Sequence, residues 1–294
     1  MYTFRDVQFA DLAKINSLLA HKTLTSTWHS ATTIFGWLSV FNTKICVLED
    51  AVMLQLTVEG KVRTFSPLAK EASRVAEIVT DFDRNFDINW DWIPTWQVPI
   101  YEELGYTLTE HRKRAEYLYS SKSLRTLSGK KLHSKRNFIN GFHYKYEFRP
   151  YTDCDFNGVM ALFEAWYNEA ITRVGANVQF ITEDYKRERE VVCFVLENSK
   201  LCNILADVLV IDNRIVGFVA GELMANGVGA IYFEKADTAY KGAYPMIDNL
   251  FCKSHFEEVE LVNRQEDLDI VGLRKSKMSY CPVGFAELYT AERR

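Results

Sequence analysis

The chain has 294 residues, with 35 Lys or Arg against 39 Asp or Glu, and 48% of its side chains are hydrophobic. This composition suits one large domain or two of ordinary size and excludes extensive disorder. No apolar run reaches the ~20 residues of a membrane span, and charged residues occur within the first 20, so we expect a soluble, unprocessed, cytoplasmic protein. The six cysteines are scattered, which predicts neither disulfides nor a metal site.

The N-terminal half alternates helical and strand patterns. Glu59-Gly60 predicts a hairpin turn between two of its strands, and Pro94 ends a third strand. In chain order the predicted elements are helices at 9–20 and 32–41, strands at 44–48, 52–58 and 62–65, a helix at 69–86, a strand at 88–93 and a helix at 96–104.

The C-terminal half follows the same order. Asp212-Asn213 and Asn226-Gly227 predict the two turns of a three-stranded antiparallel meander. In chain order the predicted elements are a strand at 144–149, helices at 156–170 and 183–196, strands at 203–211, 215–223 and 229–235, a helix at 242–255, a strand at 259–262, a helix at 270–279 and a strand at 285–289.

Two helices, a meander, a helix, a strand and another helix is the order of acyl-CoA N-acyltransferase (GNAT) domains. We therefore predict an α/β (α+β) fold of two tandem GNAT-like domains, arisen by duplication, each a mixed sheet flanked by helices. The predicted N-terminal domain is 1–120, a basic connecting helix lies in 121–143, and 144–294 carries the site. Residues 117–144 are interpreted as the connection.

Positive charge is concentrated around this connection. Residues 111–149 contain eleven Lys or Arg and two Glu, whereas the whole chain has a net charge of −4. Such a block is typical of a solvated face or linker, and it also attracts polyanions such as RNA, a nucleotide or an anionic lipid head group.

The helix after Lys131 has a polar face and an apolar face. The polar residues at helical spacing are His133, Arg136, Asn137 and Asn140. The residues predicted to point the opposite way, into a core, are Phe138, Ile139 and Phe142. The polar face is interpreted as binding a ligand or the other domain; the alternatives are an exposed polar face and a structural role for His133.

The third meander strand and the turn after it carry the candidate catalytic residues. Strand alternation places Tyr232 and Glu234 on one face and Lys235 on the other. Glu234 is predicted to orient an attacking amine, and Tyr232 or Tyr244, with backbone N–H groups after Lys235, to stabilise an oxyanion. A structural ion pair between Lys235 and Asp237 is the alternative.

The turn at 236–242 is where a GNAT fold binds a pyrophosphate at a helix N-terminus. Counting back from Gly242, the phosphate-binding pattern would begin at Ala239 and end at Tyr244, and neither residue fits it. Beyond the next strand, Asn263, Arg264, Glu266 and Asp267 are expected on the same edge of the sheet. Arg274 and Lys277, three residues apart, are interpreted as clamps for a phosphate or carboxylate, or as a solvated basic helix.

The chain resembles a bacterial family related to the C-terminal catalytic domain of phosphatidylglycerol lysyltransferases. The resemblance lies in EYLYSSKSLRTLSGKKLHSKRNFINGF (116–142), EKAD (234–237), KGAY (241–244) and VNRQEDLDIVGLRKSKMSYCPV (262–283). It implies Fem-type aminoacyltransferase relatives, which move an aminoacyl group from charged tRNA to a lipid or peptidoglycan acceptor. The site residues that it implies are His133, Lys135, Arg136, Asn137, Asn140, Lys235, Asp237, Gly242, Tyr244, Asn263, Arg264, Glu266, Asp267, Arg274 and Lys277.

Three functions follow as hypotheses. The first is an acyl- or aminoacyltransferase that uses aminoacyl-tRNA or acyl-CoA as donor and an amine or hydroxyl compound as acceptor; peripheral lipid contact stays open, and no metal is implied. The second is a non-catalytic module that binds an anionic metabolite or RNA. The third is a CoA-dependent N-acetyltransferase.

Overall fold

The computed structural model describes residues 2–21, 23–86, 88–174, 178–200 and 202–293. The architecture is mixed α/β, as the sequence predicts, with two mixed sheets flanked by helices. The strands are β1 (Arg5–Asp6), β2 (Lys44–Val47), β3 (Ala51–Val58), β4 (Lys61–Phe65), β5 (Leu68–Ala69), β6 (Trp90–Pro94), β7 (Tyr106–Glu110), β8 (Glu116–Ser120), β9 (Glu147–Pro150), β10 (Leu205–Ile211), β11 (Arg214–Leu223), β12 (Gly229–Ala236), β13 (Leu261–Asn263), β14 (Gly284–Ala286) and β15 (Leu288–Arg293). The helices are α1 (Leu12–Leu19), α2 (Ala31–Gly36), α3 (Leu38–Phe41), α4 (Ala72–Asp83), α5 (Val98–Glu103), α6 (Ser121–Thr126), α7 (His133–Asn140), α8 (Phe156–Val174), α9 (Val178–Glu197), α10 (Ala243–His255) and α11 (Val271–Met278).

Both sheets have the same strand arrangement. The first sheet has the order β1-β2-β3-β4-β6-β15-β7, with β5 paired to β3, and the second has the order β9-β10-β11-β12-β13-β8-β14. Among the described strands, each sheet contains a single parallel pair, β4 with β6 and β12 with β13, and its other pairs are antiparallel. The repeated order of elements predicted from the sequence is therefore confirmed.

Each sheet is completed by a strand from the other half of the chain. The consecutive strands β7 and β8 lie in the first and second sheets, and the consecutive strands β14 and β15 lie in the second and first. The interpretation of residues 117–144 as a connection is wrong for its first residues, because β8 pairs with β13 and β14 inside the second sheet. The remainder forms α6 and α7. This exchange ties the two halves together through backbone hydrogen bonds.

The predicted turns form as their residue types require. Glu59 and Gly60 have φ of 50° and 74°, and Asp212 and Asn213 have φ of 49° and 61°. Left-handed conformations at both central positions are those of the hairpin turns that match strand twist. Helix α4 begins at Ala72 rather than at residue 69, because residues 68–69 pair with β3 as β5.

Helices cover both faces of each sheet. In the second sheet, α6 and α10 pack on one face through residues such as Leu124 and Ile247, and α8 and α9 pack on the other through residues such as Phe163 and Val192. Within the described ranges, no helix is long and apolar enough to cross a membrane.

A β-bulge in β12 changes which side chains share a face. Ala220 pairs with Phe233 and Gly221 pairs with Ile231, so Tyr232 is an extra residue without a partner in the ladder. The bulge requires glycine at 221, since a Cβ there would lie 2.0 Å from the carbonyl oxygen of Ala230. The alternation predicted for this strand is therefore interrupted at its centre.

Candidate functional site

The candidate site lies where β12 and β13 diverge. The two strands pair only at Gly229 with Val262 and at Ala230 with Asn263, and β12 continues for six residues beyond this point. Arg264 follows β13 and extends across the opening, where its Nη2 donates to Glu234 Oε2 at 2.8 Å. We call this opening the second-sheet gap.

Asp248 of α10 forms the floor of the gap. Its side chain has no exposed surface, and neither carboxylate oxygen has a hydrogen-bond partner among the described residues. Arg264 Nη1 lies 3.2 Å from Asp248 Oδ2, which makes an ion pair but lacks the geometry of a hydrogen bond. Burial raises the pKa of Asp248 to about 7, against the opposing effect of Arg264. Asp248 is therefore a buried carboxyl group with free hydrogen-bonding capacity.

Helix α7 contributes a second cation to the gap. Lys135 Nζ lies 4.0 Å from the centre of the Tyr280 ring, and the Arg264 guanidinium lies 4.6 Å from the same ring. Burial and the neighbouring Arg264 lower the pKa of Lys135. The Tyr280 ring thus contacts two cations, whose charges are opposed by Glu234 and Asp248.

Lys277 of α11 completes the set that we call the charged cluster: Lys135, Glu234, Asp248, Arg264 and Lys277. Lys277 Nζ donates to the carbonyl oxygen of Arg264. Burial and the charge of Arg264 lower the pKa of Lys277 to about 8. Burial raises the pKa of Glu266, whose charge favours the protonated form of Lys277.

Asp267 anchors the loop that carries the cluster. Its carboxylate accepts from Arg274 Nε at 2.7 Å and from the Tyr117 hydroxyl at 2.5 Å. The hydrogen bond from Arg274 keeps the pKa of Asp267 well below its usual range. Arg274 also pairs with Asp269, so its charge is already opposed by two carboxylates, and its role as a clamp for a ligand stays a prediction.

Asn263 and Glu116 connect the gap to the N-terminal half. Asn263 Nδ2 donates to Glu116 Oε2 and to the carbonyl oxygen of Thr25, both at 2.8 Å. Glu116 also accepts from the backbone N–H of Thr27 at 2.7 Å and from the Thr27 hydroxyl. Burial, and then the charge of Glu266, raise the pKa of Glu116 to about 7. Asn263 therefore serves as a tether between the halves.

The bulge separates Tyr232 from Glu234, which corrects the prediction that both share a face. The Tyr232 hydroxyl donates to Glu222 at 2.6 Å and lies 2.7 Å from Ser30 Oγ, whereas Glu234 faces Arg264. Tyr232 thus contacts the N-terminal half, outside the charged cluster.

Lys235 and Asp237 do not pair with each other. Lys235 Nζ donates to Glu188 at 2.8 Å and lies 3.8 Å from the Trp166 ring centre, on the side of α8 and α9. Asp237 pairs with Arg214 and accepts from the backbone N–H of Ala239. The alternative of a mutual structural ion pair is therefore wrong.

The polar face of α7 is not the wall of the gap. Its residues His133, Asn137 and Asn140 are exposed, and Arg136 donates to the carbonyl oxygens of Leu127 and Gly129. Phe138 is 40% exposed rather than buried, which corrects its assignment to a core. The α7 residue that reaches the gap is Lys135.

The pyrophosphate position of an acyl-CoA does not fit this chain. Gly242 is the N-cap residue of α10 with φ of 99°, and a Cβ there would lie 2.8 Å from the carbonyl oxygen of Phe138. Helix α7 therefore packs against the N-terminus of α10 and turns a carbonyl oxygen toward it, where an anion needs a donor. Pro245, in the first turn, has no N–H. Tyr244 is half-buried against the core, and burial raises its pKa to about 12.

Sequence reasoning missed Asp248, Tyr280 and Tyr119. The Tyr119 hydroxyl donates to the Lys277 carbonyl oxygen at 2.9 Å, and its ring centre lies 5.6 Å from the Arg264 guanidinium. The sequence did contain a signal for Asp248, because it lies between Ile247 and Phe251 on the apolar face of a predicted helix. Acidic residues are rarely buried without a partner or a role.

Comparisons with known proteins identify the family. The family model for the C-terminal region of phosphatidylglycerol lysyltransferase matches residues 29–292. The chain belongs to this family. The crystal structure of a conserved protein of unknown function from Bacteroides thetaiotaomicron VPI-5482 matches with a TM-score of 0.86 and 27% identity, over 100% of both chains.

Two further relatives match different shares of this chain. The structure of L-PGS from Bacillus licheniformis has a TM-score of 0.62 and 18% identity over 96% of this chain and 91% of that chain, which shows the shared fold. An uncharacterised protein of Mycoplasmoides gallisepticum is 26% identical over 179 residues, 58% of this chain and 54% of that protein. The matched region thus spans about half the length of that curated relative.

Proposed function

We propose that this protein transfers an acyl or aminoacyl group to an amine or hydroxyl acceptor, and that the charged cluster holds the reacting groups. The observation that carries the proposal is Asp248, a fully buried carboxyl group beside Arg264 without a hydrogen-bond partner in the described chain. Burying such a group is costly, and perturbed carboxyl groups concentrate at functional sites. A substrate group that donates a hydrogen bond to Asp248 would remove this cost.

The two carboxylates of the gap can accept hydrogen bonds from the amines of a donor, and the unpartnered oxygens of Asp248 have this capacity free. Glu234 and Asp248 both pair with Arg264, so the site presents two carboxylates around one guanidinium. The family description names lysyl transfer, and a lysyl group carries two amines. We therefore propose an aminoacyl ester as the donor, with tRNA as its carrier, and a lipid or a soluble amine or hydroxyl compound as the acceptor.

The charges of the cluster suit attack on such an ester. The acceptor oxygen or nitrogen forms a bond to the ester carbonyl carbon while Asp248, with a pKa near 7, receives its proton. Lys135 and Arg264 stabilise the negative charge on the carbonyl oxygen. The ester C–O bond then breaks, and the leaving oxygen takes the proton from Asp248. An ester is already activated, so no nucleophilic side chain is needed.

The test is transfer from aminoacyl-tRNAs labelled in the aminoacyl group to phosphatidylglycerol vesicles and to soluble amines. We expect Asp248→Asn to lower the transfer rate at least ~100-fold, as for loss of a general base. Glu258→Gln, on the exposed surface after α10, is the matched control and should transfer at the wild-type rate.

Melting temperatures of both variants show whether the fold persists. If the wild-type protein binds the donor but transfers to no acceptor in the panel, the transferase proposal is contradicted. The non-catalytic binding function then remains. Transfer from acetyl-CoA that exceeds transfer from aminoacyl-tRNA would contradict the choice of donor.

A further inference from the structure

A cleft outside the charged cluster lies on another face of α7. It encloses about 680 Å³ between α7, the segment at 141–144 and the turn before α10. Ser134, Asn137 and Phe138 line it from the helix, whereas Lys135 and Ile139 face the core and the second-sheet gap. The volume lies within the range of ~300–1,000 Å³ that small-molecule sites occupy. The cluster and the cleft are therefore separate features that share one helix.

Aromatic rings form part of the cleft wall. Phe138 and Tyr144 are 40% and 42% exposed, although both are large apolar or amphipathic side chains. Tyr144 is held by edge-to-face contacts with Phe142 and Tyr240, both at 5.0 Å between ring centroids. A fixed, exposed ring with an open face is suited to stack on a planar heterocycle.

The polar lining is cationic or neutral. Lys241 and His143 stand at the cleft, Asn137 supplies an amide, and no acidic residue lines it among the described residues. The exposed Lys130, Lys131 and Lys145 lie in the adjacent segments of the same basic region. Positive charge beside stacking rings is the combination that single-stranded nucleic acid and nucleotides require.

We propose that this cleft binds a nucleotide unit, with its base against Phe138 and Tyr144 and its phosphate beside Lys241 and His143. Asn137 offers both an amide donor and an acceptor to the edge of the base. A free mononucleotide and the unpaired end of an RNA both carry such a base and phosphate. The proposal stands on the geometry of the cleft; that the bound nucleotide belongs to an aminoacyl donor is a further step that rests on the proposed function.

The test measures binding at equilibrium to AMP and to a short single-stranded RNA, with no transfer reaction. We expect Phe138→Ala to weaken binding about 5- to 100-fold, the range for one stacked base. Lys241→Gln should reduce the slope of log affinity against log salt by about one for RNA. Phe138 is partly exposed, so its loss should leave the fold intact.

Two matched variants control for general effects. Phe86→Ala removes a phenylalanine of similar exposure, 43%, far along the chain, and Lys253→Gln removes an exposed lysine from the other end of α10. Both should bind like the wild type. RNA that binds tenfold or more tightly than AMP supports an RNA end as the source, and equal affinities support a free mononucleotide.

The following results would overturn the proposal that the cleft binds a nucleotide. Absence of binding to both probes overturns the proposal, as does binding that Phe138→Ala, Tyr144→Leu and Lys241→Gln leave unchanged. Binding to anionic lipid vesicles alone also overturns it. None of these outcomes depends on transferase activity, so the cleft and the charged cluster are judged separately.

Discussion

Each sheet contains a parallel pair of strands, and the residues at the end of that pair differ between the two sheets. In the first sheet aromatic rings lie at the end of the parallel pair β4–β6: Phe65 stacks on Trp92 at 4.3 Å between centroids, and Trp28 lies tilted at 5.3 Å from Trp92. In the second sheet the pair β12–β13 is followed by Arg264 between two carboxylates. The first opening holds aromatic rings beside the buried Asp91, which pairs with Arg114, whereas the second holds the charged cluster.

The unpartnered polar atoms sharpen this contrast. In the first sheet they include one carboxylate oxygen of Asp91 and both ring nitrogens of His29, whose pKa burial lowers to about 4, so the ring is neutral. In the second they belong to Asp248 and Arg264, which titrate or carry charge. Neutral rings cost less to bury than charged groups. The difference is one of degree: Asp91 in the first opening has one oxygen hydrogen-bonded to Arg114, whereas neither oxygen of Asp248 has a hydrogen-bond partner among the described residues.

The largest expected effect is that of removing the central guanidinium. Arg264→Met removes the cation that pairs directly with Glu234 and the buried Asp248, and we expect a loss of about 3–5 kcal/mol in the free energy of unfolding. The corresponding change in the first sheet, Arg114→Met, should cost about 1 kcal/mol, because Arg63 remains near Asp91 and Arg114 is partly exposed. Urea unfolding of both variants gives the comparison, and equal losses would remove the distinction between the two openings.

The bulge in β12 provides the next largest effect. Gly221→Ala places a methyl group 2.0 Å from the Ala230 carbonyl oxygen, so we expect a loss of about 2–3 kcal/mol in stability. Gly272→Ala, in α11 with open space around it, should instead gain about 0.5–1 kcal/mol. The first sheet has no such register shift between β3 and β4. A tolerated alanine at 221 would contradict the requirement for glycine at this bulge.

A pH effect of intermediate size is expected from Glu116. Its folded pKa is raised from 4.5 to about 7, so the folded state binds more protons than the unfolded state between these values. Stability should therefore fall as pH rises from about 4.5 to 7, by on the order of 2 kcal/mol from this group. Glu116→Gln retains the contacts with Thr27 and Asn263 in neutral form and should flatten this part of the profile. Chemical unfolding at pH 5, 6 and 7 measures the difference, and an unchanged slope would contradict the assignment.

The smallest effect is expected from the stacked rings of the first sheet. Phe65→Leu keeps an apolar side chain but loses the stack on Trp92, at a cost of about 1 kcal/mol in stability. The transfer rate and nucleotide affinity should stay within about twofold of wild type, since Phe65 lies outside both sites. A selective loss of transfer at unchanged stability would place a functional role in the first opening.

Much of the fold was predictable because it depends on local patterns. Apolar periodicity located the meander and α10, and left-handed residue types located the turns at Glu59-Gly60 and Asp212-Asn213. The exchange of β8 and β15 was not predictable, because which sheet a strand joins depends on pairing partners distant in sequence.

The candidate site was only partly predictable. Glu234 and Arg264 were chosen for their positions at the ends of predicted elements and Lys277 for its place three residues after Arg274, and the three lie together in the charged cluster. Asp248 was missed because it lies in the interior of a helix. Arg274 was chosen as a ligand clamp, whereas its charge is opposed by Asp267 and Asp269.

The sequence by itself determined the order of helices and strands, the family resemblance and the basic region that contains α7. Only the tertiary structure decided that Tyr232 and Glu234 separate across a bulge, that α7 turns a carbonyl oxygen toward the start of α10, and that Asp248 meets Arg264. The physical reason is the distance along the chain over which each interaction acts. Periodicity and turn chemistry act within a few residues. Burial, strand pairing and charge neutralisation depend on groups that only the completed fold brings into contact.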